Sequence, residues 1–163
     1  MTSLNVDFGG DAVLFDYGRC YIVCEKRLEK TLRIIQDFTF SGSTTLCISR
    51  MHPDLLQERL AGGCQEALWL SERNGANNIA PDQLGRIINR VDGYLVGKKN
   101  AVVLLDGIEY LCLFNGFDRV QMFVEQLNDL VMASKAILII PLDPLSLDQR
   151  SLARLRRHSE IVQ

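Results

Sequence analysis

The residues most suggestive of chemistry lie in the segment AVVLLDGIEYL (101–111), where an apolar run ends in Asp106 and Glu109 follows three residues later. Many enzymes that use ATP present a magnesium-binding carboxylate at the end of such a strand. Asp106 would then need a second segment that holds the phosphates. The usual one is the loop GxxxxGK[ST], whose backbone amides wrap the phosphates and whose lysine reaches them.

The chain lacks this phosphate-binding loop at the expected place. The segment that follows the first predicted parallel strand is EKRLEKT (25–31), which ends in Lys-Thr but contains no glycine. Residues other than glycine rarely adopt the backbone conformations of a phosphate-binding nest, and Glu25 and Glu29 would repel phosphate. A glycine-containing segment, SGSTTL (41–46), precedes a strand instead of following one. Asp106 is therefore predicted to lack the loop that would hold a nucleotide.

The spacing of apolar residues predicts the elements that would position Asp106. Continuous apolar runs predict five strands, at residues 20–25, 44–49, 66–70, 101–106 and 135–141. Apolar residues three or four positions apart predict helices between them, beginning after Glu25 and at Pro53, Pro81 and Phe117. A capping box formed by Ser146 and Gln149 predicts a last helix that runs to the C-terminus.

An alternating segment around Gly9 and Gly10 precedes these elements and predicts a β-hairpin with a two-residue turn. Strands that alternate with amphipathic helices indicate a parallel sheet covered on both sides. The predicted fold class is therefore α/β: three layers, with a mainly parallel sheet flanked by helices and an N-terminal β-hairpin.

The composition is that of an ordinary globular protein. Of 163 residues, 47% are hydrophobic and 23% are charged, and the net charge is −2. This balance provides no overall attraction to nucleic acid or to an anionic membrane, so neither is expected as a partner. The N-terminus does not resemble a signal peptide, and no apolar run reaches the roughly 20 residues of a membrane span. A cytoplasmic location is the expectation.

The cysteines do not predict a disulfide framework or a metal site. Their number is odd, and most lie in apolar runs, which favours reduced and buried thiols. Cys20 and Cys24 are separated by three residues, a spacing too wide on a strand for an ordinary zinc pair. No cofactor or metal is expected.

Polar residues follow most of the predicted strands. Because ligands of open parallel sheets bind beyond the carboxyl ends of the strands, these residues are candidate site residues: Glu25, Arg50, His52, Ser71, Glu72, Asp106, Glu109 and Asp143. Strand ends face water in any α/β protein, however, and their loops are polar for that reason alone. His52 could act as a general base, but no nucleophile motif such as GxSxG accompanies it. No catalytic residue is assigned.

Several segments together resemble the archaeal family called domain of unknown function 835. They are YIVCEKRLEKTLRIIQDF (21–38), LCISRMHPDLL (46–56), WLS (69–71), IAPDQLGRII (79–88), VVLLDGIEYLCLFNGF (102–117) and IIPLDPLSLDQRSLARL (139–155). The resemblance covers about 20–157, so we expect one domain over residues 1–163 with 1–18 as a hairpin extension. It implies a core similar to RecA- or KaiC-type ATPases that has lost its phosphate-binding loop. It also implies a signalling or scaffolding context, and no reaction.

The family motifs add Asn115 to the candidate site and suggest that Trp69 belongs to the core. For Arg50, Asp106, Glu109 and Asp143, a network of ion pairs at the ends of the strands is the plain structural explanation. The leading hypothesis is a non-catalytic interaction or signalling module, an accessory or regulatory subunit that works through protein–protein contacts, including self-association. The alternative is a sensor of a small ligand or nucleotide, or an enzyme, that uses the polar residues at the strand ends.

Overall fold

A computed structural model describes residues 2–163. Its strands are β1 (Ser3–Asp7), β2 (Ala12–Asp16), β3 (Arg19–Cys24), β4 (Thr44–Ser49), β5 (Glu66–Leu70), β6 (Asn78–Ile79), β7 (Ala101–Leu105), β8 (Ile137–Leu142) and β9 (Glu160–Val162). Its helices are α1 (Glu29–Phe40), α2 (Pro53–Arg59), α3 (Leu84–Leu95), α4 (Ile108–Asn115), α5 (Phe117–Ser134) and α6 (Gln149–Arg156), with a short 3-10 turn at Pro144–Ser146.

Seven strands form one parallel sheet in the order β6-β5-β4-β7-β8-β3-β9. Alternate residues of each central strand point to opposite faces: in β7, Val103 packs with α3–α6, and Val102 and Leu104 pack with α1, α2 and the hairpin. Because both faces are covered, the strands are apolar throughout and show no alternation in sequence. The predicted three-layer α/β class is confirmed.

The N-terminal hairpin is also confirmed. Strands β1 and β2 pair antiparallel, and the turn between them places Gly9 and Gly10 at φ 78° and 118°, values that favour glycine. The hairpin packs on the same face of the sheet as α1. Phe15 is fully buried there, and its ring centroid lies 5.7 Å from that of Phe38.

The connections that leave neighbouring parallel strands cross over opposite faces of the sheet. From β3 the chain crosses over the α1 face of the sheet to β4, whereas from β8 it crosses over the opposite face to β9. Strands β3 and β8 are neighbours, so their outgoing loops part and leave a crevice between them. Strands β4 and β7 form a second such pair. In open α/β sheets, ligands bind at crevices of this kind.

Two of the predicted helix starts are wrong. The helix expected at Pro81 begins at Leu84, because residues 80–83 form a turn in which the Gln83 amide donates to the Ala80 carbonyl. The Ser146–Gln149 capping box does not form. Asp148 caps α6 instead, and its Oδ1 accepts a hydrogen bond of 2.7 Å from the Ser151 amide.

The C-terminus and the region after β7 also differ from the prediction. Helix α6 ends at Arg156, and the chain then adds β9 to the outer edge of β3, with Tyr21 opposite Glu160. Residues 108–115 form α4, which the apolar spacing did not predict as a separate helix. Gly116, at φ 80°, separates it from α5.

All five cysteines are free thiols, and Cys20, Cys47 and Cys64 are buried as predicted. Burial raises the pKa of the Cys20 thiol to about 12, which makes it a poor nucleophile.

Among residues 2–163, every helix is too short or too polar to cross a lipid bilayer.

Candidate functional site

Four of the acidic residues named above come together at the carboxyl ends of β3, β7 and β8. Glu25, Asp106, Glu109 and Asp143 line one cleft of about 140 Å³, which we call the acidic cleft. Its only basic wall residue is Lys26. The cleft lies at the β3–β8 crevice, because the topology brings the three strand ends side by side.

Asp106 is held in place at the end of β7 by its neighbour β4. Its amide donates to the Ile48 carbonyl over 2.8 Å, and its Oδ2 accepts a 2.6 Å hydrogen bond from Ser49 Oγ. Ser49 is fully buried and also accepts from the Met51 amide. Burial raises the pKa of the Asp106 carboxyl, and the charge of Glu109 adds to this, while the bond from Ser49 acts in the opposite direction.

Glu109 and Asp143 join α4 to the turn after β8. The Asp143 amide and Ser146 Oγ both approach Glu109 Oε1, at 3.4 and 3.3 Å. Asp143 Oδ1 accepts from the Leu145 amide and so caps the 3-10 turn. Both carboxylates therefore have local structural partners, which reduces their freedom to bind a ligand.

The Glu25 carboxylate occupies the N-terminus of α1. Its Oε1 accepts from the Lys30 amide over 2.9 Å, and its Oε2 accepts from the Thr31 amide over 2.8 Å and from Thr31 Oγ1 over 2.5 Å. A helix N-terminus presents free amides and partial positive charge, and it is the usual binding site of a phosphate in α/β proteins. In this chain, a carboxylate of the chain itself fills that position.

Arg50 lies beside the acidic cleft but does not pair with it. No side-chain ion pair that the structure describes includes Arg50. Its guanidinium lies 3.5 Å from the ring centroid of Tyr110 and donates from Nη1 to the Leu70 carbonyl over 2.9 Å. Arg50 is therefore held by stacking on an aromatic ring, and not by the ion-pair network suggested by the sequence.

Gly107 makes room for this arrangement. Its φ is 130°, and a Cβ at this position would lie 3.0 Å from Arg50 Cγ and 3.1 Å from Leu70 Cδ1. The glycine therefore lets the chain turn into α4 directly beneath the arginine.

His52 and Trp69 form a contact beside Arg50, with ring centroids 4.9 Å apart. His52 caps α2, because its Nδ1 accepts from the Asp54 amide. Trp69 is only partly buried, contrary to its predicted place in the core, and its Nε1 donates to the Arg50 carbonyl. These contacts give His52 a structural role.

Ser71 and Asn115 stabilise turns outside the acidic cleft. Ser71 is buried and accepts at Oγ from the Arg73 amide. Asn115 donates from Nδ2 to the Pro81 and Leu111 carbonyls, which joins the end of α4 to the loop before α3. Neither side chain lines the cleft.

Sequence reasoning missed Ser49 and Tyr110 as neighbours of the candidate residues. Ser49 reads as the last residue of an apolar strand, and Tyr110 as one more apolar residue after Asp106. Once the strand order is known, a serine at the end of one strand predicts a hydrogen bond to an aspartate at the end of the neighbouring strand.

Among residues 2–163, no group of three or more His, Cys, Asp or Glu side chains is arranged to hold a metal ion.

We expect the Asp106→Asn variant to gain stability relative to the wild type as pH rises. Burial raises the folded-state pKa, so the wild-type carboxyl stabilises the fold fully below its unfolded pKa of 3.8 and loses that contribution as pH rises through the folded pKa. The asparagine variant has no charge to desolvate. Urea unfolding of both proteins below pH 3.8 and near pH 7 measures the difference between their free energies of unfolding. A difference that does not change with pH would contradict a raised pKa for Asp106.

Sequence comparison finds a family that matches most of the chain. Residues 24–158 match the family described as "Protein of unknown function (DUF835)", which spans the sheet from the end of β3 to the loop after α6. No curated protein matches the chain. Because the match covers most of the chain, the protein belongs to the DUF835 family of proteins of unknown function.

Proposed function

We propose that this protein is a non-catalytic interaction or signalling module, an accessory or regulatory subunit that works through protein–protein contacts. The observation that carries the proposal is the Glu25 carboxylate bound to the Lys30 and Thr31 amides. A nucleotide-binding protein needs such amides for phosphate. Here they are already satisfied, and a phosphate would have to displace a covalently attached anion.

The acidic cleft supports the same proposal. Its volume of about 140 Å³ is below the roughly 300–1,000 Å³ of typical ligand pockets. Four carboxyl groups against one lysine make its surroundings unfavourable to a triphosphate. A core of RecA type that has lost its phosphate-binding loop accounts for two features together. Asp106 remains at the end of β7, and the amides at the N-terminus of α1 are bonded to Glu25 and so do not bind phosphate.

The surface of α4 is suited to a protein partner. Leu113 is 83% exposed and Phe114 is 40% exposed, and the ring of Phe114 lies 4.9 Å from that of Tyr110. Leu145, 91% exposed, lies in the turn that Ser146 joins to Glu109. We call Tyr110, Leu113, Phe114 and Leu145 the α4 surface. Aromatic side chains and arginine are enriched at interface centres, and here Arg50 stacks on Tyr110.

We expect the Leu113→Ser variant to weaken self-association about tenfold, which corresponds to roughly 1.4 kcal/mol of lost apolar contact. Sedimentation velocity over a range of protein concentrations measures the dissociation constant. The substitution lies at an exposed position, so the free energy of unfolding should change by less than about 0.5 kcal/mol.

Phe40→Ser is the matched control, because Phe40 is also 83% exposed but lies at the other end of the molecule, on α1. It should leave association unchanged. An equal loss in both variants contradicts the assignment to the α4 surface, and a wild-type protein that stays monomeric at every concentration contradicts self-association.

The alternative function is binding of a small ligand beside Arg50. It is favoured by one observation: Arg50 is an exposed residue and forms no side-chain ion pair among residues 2–163. If the ligand is a nucleotide, binding or hydrolysis of magnesium-ATP should depend on Asp106 and Arg50. Activity that disappears in Asp106→Asn would support it and would overturn the non-catalytic proposal.

A further inference from the structure

A hollow at the opposite edge of the sheet has the composition of an anion site. It lies at the amino ends of β3, β7 and β8 and encloses about 380 Å³, more than twice the volume of the acidic cleft. Its walls include Tyr17, Lys98, Lys99, Asn100, Ser134 and Lys135. We call it the basic hollow. None of its wall residues is acidic.

The three lysines exceed what local structure needs. Helices α3 and α5 end directly before residues that line this hollow, and each brings a partial negative charge of about −0.5 there. Three ammonium groups against about one negative charge leave a surplus of roughly two positive charges. No side-chain ion pair within the described chain involves Lys98, Lys99 or Lys135. The partner of Lys98 is the neutral ring of Tyr94, with the ammonium 4.1 Å from the centroid.

The backbone of the basic hollow is also unusual. Among the described residues, three that are not glycine have positive φ, and two of them, Asn100 (56°) and Lys135 (54°), line this hollow. Lys135 terminates α5 in the left-handed conformation, where glycine is the common residue because a Cβ is strained there. A lysine at a position that favours glycine is a costly choice for stability alone, which points to a use for its side chain.

We propose that the basic hollow binds a small molecule with a multiply charged phosphate group. Three flexible ammonium groups from two loops suit a diffuse anionic charge, which lysine binds as a point charge without fixed geometry. The volume accommodates pyrophosphate or a nucleotide. The site is separate from the acidic cleft and from the α4 surface, so it does not depend on the proposed function.

Titration calorimetry with pyrophosphate and with ATP, both without magnesium and at low salt, tests the proposal. Saturable binding of one equivalent is expected, and it should weaken as salt is added. Lys135→Gly should weaken it about tenfold, since a charge-assisted hydrogen bond is lost. The same substitution relieves the left-handed strain, so the melting temperature should not fall. Tighter binding of ATP than of pyrophosphate would identify the nucleotide as the source of the phosphate group, and equal binding would identify the phosphate group alone.

Lys26→Ala, which removes a lysine at the acidic cleft, is the control and should leave binding unchanged. The double variant Lys98→Ala/Lys99→Ala should reduce binding about a hundredfold by the same reasoning. The proposal is overturned if neither probe binds at millimolar concentration, or if Lys26→Ala weakens binding as much as Lys135→Gly does. These outcomes are separate from magnesium-ATP hydrolysis that requires Asp106, which concerns only the proposed function.

Discussion

Phe38→Ala is expected to lower the free energy of unfolding by about 4 kcal/mol, the usual cost of deleting a fully buried phenylalanine. Phe38 has no exposed surface and is one of the side chains through which α1 packs with the N-terminal hairpin. Its ring centroid lies 5.7 Å from that of Phe15 and 5.8 Å from that of Tyr17. The substitution therefore leaves a cavity and also removes two edge-to-face aromatic contacts.

Denaturant unfolding measures this loss, and Phe40→Ala on the same helix is the control. Phe40 is 83% exposed, so its substitution should change the free energy of unfolding by less than about 0.5 kcal/mol. A loss of only about 1 kcal/mol in Phe38→Ala would show that the hairpin can collapse into the space, and that it is a loosely attached extension and not a covering layer of the sheet.

The sequence predicts the central strands well because they are buried on both faces. A strand such as β4, predicted at 44–49 and found at Thr44–Ser49, is a continuous apolar run between polar segments. The edge strands have no such signal. Strand β6 has two residues and β9 has three, and they exist because β5 and β3 offer unpaired backbone groups at the edges of the sheet.

Helix boundaries were less predictable where side chains and turns compete for the same amides. Ser146 and Gln149 have the spacing of a capping box, but Ser146 Oγ donates to the Asp143 carbonyl inside a tight turn. Asp148, two residues later, then caps α6. Choosing between two adjacent caps requires knowing where the preceding strand leaves the sheet, which local sequence does not contain.

The candidate site was predictable as a set of strand-end residues but not as an arrangement. Glu25, Asp106 and Asp143 follow β3, β7 and β8, and their meeting depends on the order of strands in the sheet. The residue types suggest an ion-pair network as one explanation for Arg50, whereas its guanidinium stacks on Tyr110, because α4 places the ring against it. Which side chains contact each other can be predicted from residue types only once the strand order shows which of them lie close together.

Glu25→Ala is expected to lower the free energy of unfolding by about 2 kcal/mol, the upper range for loss of a helix cap. Three hydrogen bonds to one carboxylate disappear, and the Lys30 and Thr31 amides at the start of α1 lose their acceptors. The favourable interaction of the negative charge with the helix dipole is lost as well. Glu25→Gln keeps an acceptor oxygen without the charge, so about half the loss is expected.

Glu29→Ala separates hydrogen bonding from charge. Glu29 is exposed and lies in the first turn of the same helix, so its removal deletes an equal charge near the same dipole but no hydrogen bond to Lys30 or Thr31. Its cost should stay below about 0.5 kcal/mol in denaturant unfolding. Equal losses in Glu25→Ala and Glu29→Ala would mean that charge alone stabilises α1. The amides would then not be reserved for Glu25, and the N-terminus of α1 would be open to phosphate.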